Sequence, residues 1–132
     1  PAVASAIEGS GVDMMLGVGG APEGVLTAAA IKCLGGFIQG RLVFMSEEER
    51  TRARSMGIDN FEKIYEAEEL ARGEVFFAAT GVTNGDLVRG VRYFAGGAKT
   101  HTVVMRSMSR TVRFIETFHY FDHKPGFKTR RK

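Results

Sequence analysis

The chain has 132 residues, 44% hydrophobic and 25% charged, enough for one domain with its own core and too few for two. Its one cysteine, Cys33, excludes an intrachain disulfide and reads as a small buried hydrophobe in a reducing, cytoplasmic protein. No run of 18 apolar residues can span a membrane, and the net charge of +3 gathers late, where 124–132 (KPGFKTRRK) reads as a solvated basic tail rather than a nucleic-acid arm.

In chain order, the opening PAVASAIEG has the look of a helix interior ending at Gly9. Because it opens inside an apparent element, on Pro1 and without an apolar leader, the chain is expected to belong to something longer. VDMML at 12–16 predicts a buried strand. GVGGAPEG follows, and an Ala-rich helix runs from Pro22 to the Gly35-Gly36 pair, with Pro at its start and Gly past its end. FIQGRLVF at 37–44 predicts a second strand, parallel to the first in a βαβ unit. Ser46 and Glu49 form a capping-box pattern opening a charged helix to about Met56.

AEELAR at 67–72 predicts a short helix, and EVFFAATGV at 74–82 a strand apolar enough to be central. TNGD at 83–86 predicts a turn. VRYF at 91–94, THTVVMRS at 100–107 and RTVRFIETFHYF at 110–121 alternate like strands exposed on one face, joined at Gly96-Gly97 and Met108-Ser109. Together these elements predict one α/β domain with a mixed sheet over residues 1–123, followed by the basic tail.

The segment that points to chemistry is GVGGAPEGV, Gly17 to Val25, which sets a glycine turn between a strand and a helix N-terminus, where α/β sheets bind anions. It departs from both the dinucleotide fingerprint and the P-loop, having neither G-x-G-x-x-G spacing nor the Lys and Ser/Thr of the latter. Glu23 stands in the first turn, where the helix dipole alone accounts for a carboxylate. If a phosphate sits on Gly19-Gly20, the crowded negative charge calls for a divalent cation between phosphate and Glu23, and oxygen ligands suit Mg²⁺ or Mn²⁺. His101, His119 and His123 lack zinc spacing. Asp13 reads as a local cap or pairing group, and Arg106, Arg110 and Arg113 as a solvated sheet face. Ser107 and Ser109 have no base at a recognisable offset.

Three stretches, SGVDMMLGVGGAPEGVLTAAAIKCLGGFIQGRL at 10–42, YEAEELARGEVFFAATGVTNGDLVRGV at 65–91 and THTVVMRSMSRTVRFIET at 100–117, give a chain that closely resembles the class II fructose-1,6-bisphosphatases. The resemblance covers nearly all of 3–122 and omits the tail. It implies the C-terminal α/β domain of the lithium-sensitive sugar-phosphatase fold, acting on the 1-phosphate of fructose 1,6-bisphosphate with Mg²⁺ or Mn²⁺ in a homodimer or homotetramer. It also implies that Glu23 is a metal ligand and that Gly20 contacts substrate, with the remaining metal carboxylates and the group positioning the attacking water in a missing N-terminal half. On that reading no catalytic residue lies in this chain, and its partners are a sugar bisphosphate and the missing half, with no nucleic acid or membrane. Two alternatives stay open: a bifunctional fructose-1,6/sedoheptulose-1,7-bisphosphatase, and a non-catalytic sugar-phosphate-binding or assembly module.

Overall fold

A computed structural model describes residues 2–124 and 126. Helix α1, Ala21–Leu34, begins on Gly20 in extended backbone (φ −66°, ψ 152°), and Pro22 lies in the first turn, where an N–H would have no intrahelical acceptor. It closes on Gly35, whose left-handed backbone (φ 76°) lets the Gly35 and Gly36 N–H groups return to Lys32 O and Ile31 O at 3.2 and 3.0 Å. Ala28, Ala30, Ile31 and Cys33 are buried along it.

The surface beneath α1 is an antiparallel sheet built from strands β3 (Phe76–Thr80), β4 (Arg92–Phe94), β5 (Gly97–Arg106) and β6 (Thr111–Tyr120). β6 pairs with the whole of β5, from Gly97↔Tyr120 to Arg106↔Thr111. β4 pairs with residues 97–99 and β3 with 102–106, so these two share the other edge of β5. Alternation along β5 sends Val103 and Met105 against Ala30 and Cys33, and Val75, Phe77, Ala79, Leu87 and Val88 pack around that core. The β5–β6 turn places Arg110 at φ 46°.

A smaller sheet pairs β1 (Gln39–Arg41) with β2 (Ile64–Glu66), Gln39 opposite Glu66 and Arg41 opposite Ile64. Between them runs α2, Glu47–Ser55: Ser46 Oγ accepts from Glu49 N at 3.3 Å, while the Glu49 carboxylate accepts from Met45 N rather than from Ser46 N. Helix α3, Ala67–Leu70, is tied to α1 by the Lys32 ammonium, which reaches the Glu68 carboxylate at 2.5 Å, Ala71 O at 2.9 Å and Gly73 O at 2.6 Å.

The expected α/β organisation is present, and several elements depart from expectation in detail. The opening helix is a short 3-10 helix, Ala2–Ala6, and Gly9 is left-handed (φ 78°). VDMML forms no strand: residues 12–20 are irregular and exposed, with Met14 at 73%, Leu16 at 87% and Val18 at 87%. An extended segment needs a neighbour for its backbone groups, and among the described residues VDMML has none, so the expected parallel βαβ pair does not form. The 37–44 strand shortens to β1 and pairs antiparallel, as do all the strand pairs described. The 74–82 strand lies at the sheet edge, because the β5–β6 hairpin leaves it only one side of β5. Apart from Lys124 and Gly126, the expected basic tail lies outside the described residues.

Candidate metal and phosphate site

The glycine turn and α1 place Gly20 and Glu23 at one point. Gly20 carries no side chain to cap the helix, and the N–H groups of Ala21 and Glu23 have no acceptor within it. The Glu23 side chain folds back over this entrance: a Cβ at Gly20 would overlap the Glu23 carboxylate, with its Cδ 3.3 Å away. No atom lies within 4 Å of where a Cβ on Gly19 would stand, so one side of the turn is open. Both glycines are exposed and Glu23 is exposed or nearly so along the turn, and the Glu23 carboxylate itself lies over the entrance on the Gly20 side.

The terminus thus presents free N–H donors beside a carboxylate. A phosphate monoester adds about two negative charges to that of Glu23, against roughly half a positive charge from the helix. The Glu23 oxygens fit a hard divalent cation in kind, but among the described residues no three His, Cys, Asp or Glu side chains gather into a ligand set. One carboxylate is not by itself a whole metal site. The cleft nearest in sequence, about 320 Å³, is formed by the loop from Ser5 to Asp13 and not by the helix entrance; Asp13 lines it.

The other weighed residues have structural roles. His101 Nδ1 accepts from Arg89 N at 3.1 Å, and its ring stacks on Phe114; His119 bonds Thr100 Oγ1 at 3.0 Å, and His123 lies beside Asp122. Arg106 pairs with Glu74 and lies over Phe76, the Arg110 guanidinium rests on Gly35, and Arg113 is exposed. Ser107 Oγ accepts from Val75 N at 2.8 Å, and Ser109 Oγ bonds Thr111 at 2.7 Å. Cys33 is fully buried, and that burial pushes its thiol pKa upward.

The family model described as "Bacterial fructose-1,6-bisphosphatase, glpX-encoded" matches residues 1–119, which contain the glycine turn, α1 and the whole four-stranded sheet except Tyr120. The chain belongs to this class II fructose-1,6-bisphosphatase family. Relatives named "D-fructose 1,6-bisphosphatase class 2/sedoheptulose 1,7-bisphosphatase" are 48% identical in Synechococcus sp. (strain JA-3-3Ab), 44% in Microcystis aeruginosa and 42% in Gloeobacter violaceus. Each match covers 92% of this chain, and the chain spans 39% of the length of each of these bisphosphatases.

A cluster that sequence reasoning passed over lies on the sheet. Arg89, Arg92, Lys99, His101 and Glu116 line one shallow cleft, with Lys99 Nζ 2.7 Å and Arg89 Nη2 3.2 Å from the Glu116 carboxylate. The Lys99 ammonium holds the Glu116 pKa below the usual carboxylate range. The only signal for this grouping is strand register, which sets Arg92 opposite Lys99 and His101 opposite Glu116.

Proposed function

We propose that this chain supplies Gly20 and Glu23 to the active site of a class II fructose-1,6-bisphosphatase, which hydrolyses the 1-phosphate of fructose 1,6-bisphosphate. Water adds its oxygen to phosphorus, the bond from phosphorus to the C1 oxygen breaks, and that oxygen takes a proton, giving fructose 6-phosphate and inorganic phosphate. A bound Mg²⁺ or Mn²⁺ supplies charge neutralisation for the phosphoryl group, with Glu23 as one of its ligands. The α1 N–H groups orient a phosphate that approaches from the open Gly19 side, and Gly20, lacking a Cβ, leaves room for the Glu23 carboxylate. The carrying observation is that carboxylate folded over the open amino end of α1. The family resemblance extends the reading to a cytoplasmic homo-oligomer.

The relatives' names carry sedoheptulose 1,7-bisphosphatase as well, which favours the bifunctional reading as a second. The test is kinetic, on the complete enzyme with both substrates. Glu23→Gln lowers kcat by about 100-fold or more and raises the metal concentration needed, with the circular dichroism unchanged. Gly20→Ala displaces the carboxylate and raises KM together with the metal requirement. Wild-type turnover and metal affinity in both variants would leave Glu23 as a helix-dipole partner and nothing more.

A further inference from the structure

We infer that Arg89, Arg92 and Lys99 form a binding site for the phosphate group of a small molecule. Arg92 stands directly across from Lys99 in the β4–β5 ladder, an arrangement of like charges that a sheet disfavours unless something else meets them. Glu116 meets part of the charge, accepting from Lys99 and Arg89. Three cations against one carboxylate leave the cleft a net +2. Among the described residues the Arg92 side chain has no hydrogen-bond or ion-pair partner, and the Arg89 guanidinium meets only Glu116, so donors remain on both.

The loop carrying Arg89 is fixed rather than loose, so the cluster is assembled before a ligand arrives. Arg89 N donates to His101 Nδ1 at 3.1 Å, Gly90 N to Asn84 Oδ1 at 2.9 Å, Gly85 N to Val88 O at 3.0 Å and Val91 N to Val82 O at 3.1 Å. Gly90 lies so close to the Thr83–Asn84 backbone that a Cβ would stand 2.7 Å from Thr83 C. The cleft is shallow and partly open, about 10 Å³, room for roughly one oxygen atom, with the rest of a ligand outside. A phosphate group fits better than a carboxylate, because its several oxygens can meet separate cations while guanidinium forks take two at once. The cluster shares no residue with the Gly20–Glu23 site, so it stands or falls independently of the proposed activity.

Isothermal titration calorimetry of the complete protein in EDTA, with ionic strength held constant by chloride, reads the site with inorganic phosphate and with glycerol 3-phosphate. The Arg92→Ser/Lys99→Ser double variant weakens the phosphate Kd roughly tenfold. Glu116→Gln, which removes the resident competing carboxylate, tightens it, a direction that misfolding does not produce. Tighter binding of the monoester assigns the site to esterified phosphate, and equal binding assigns it to the free ion. Unaltered affinity in both variants, or no phosphate binding beyond what chloride matches, overturns the proposal.

Discussion

The Cys33 side chain is fully buried against Ala30, Val103 and Met105. Its flanks, AAAIK and LGG, predict a buried hydrophobe at this position. Burial disfavours the thiolate, so the folded protein holds this proton more tightly than the unfolded chain does, and stability falls as pH rises from the ordinary cysteine pKa into the alkaline range. At neutral pH a thiol reagent therefore labels Cys33 more than about tenfold more slowly in native protein than in denaturant; equal rates would contradict the burial. That Gly20 and Glu23 adjoin at the start of α1 is local in the same way, since both belong to the one GGAPEG turn, while their roles toward substrate and metal are the proposal made above. The Arg89–Arg92–Lys99–Glu116 cluster was not, because its members come from a loop and three strands and only the hydrogen-bond register brings them together.

Elements were legible where their stabilisation is local. Helix α1 carries both its signals, Pro22 inside the first turn and Gly35 as the left-handed stop, and runs within a residue of its expected span. The β5–β6 hairpin followed from alternation and a short turn. VDMML failed because strand composition does not supply a strand partner, and β1 shrank because only Gln39–Arg41 finds one in β2. Edge and centre were reversed for β3 because the sequence does not show that the β5–β6 pairing is complete. The α1–sheet contact rests on Met105 and Val103, neither exposed at all. Met105→Ala is expected to lower stability by about 2–5 kcal/mol in urea denaturation of the complete protein; a loss under about 0.5 kcal/mol would mean that this core does not hold α1 to the sheet.

At the scale of the whole molecule, the proposed function gives this chain one wall of a site. It spans 39% of the length of its bisphosphatase relatives, the glycine turn is open on one side, and Met14, Leu16 and Val18 just ahead of it are largely exposed. Apolar surface of this kind beside the Glu23 carboxylate fits a face that meets further protein. Among the described residues no group of three ligating side chains occurs, so the proposed metal set draws its other carboxylates from outside them. The most direct test is an anomalous-difference map from crystals of the complete enzyme grown with Mn²⁺ and fructose 6-phosphate. A peak about 2.1 Å from a Glu23 carboxylate oxygen, with ligand density against Gly20, is the predicted result. Mn²⁺ bound wholly by other residues, with Glu23 turned to solvent, would contradict it.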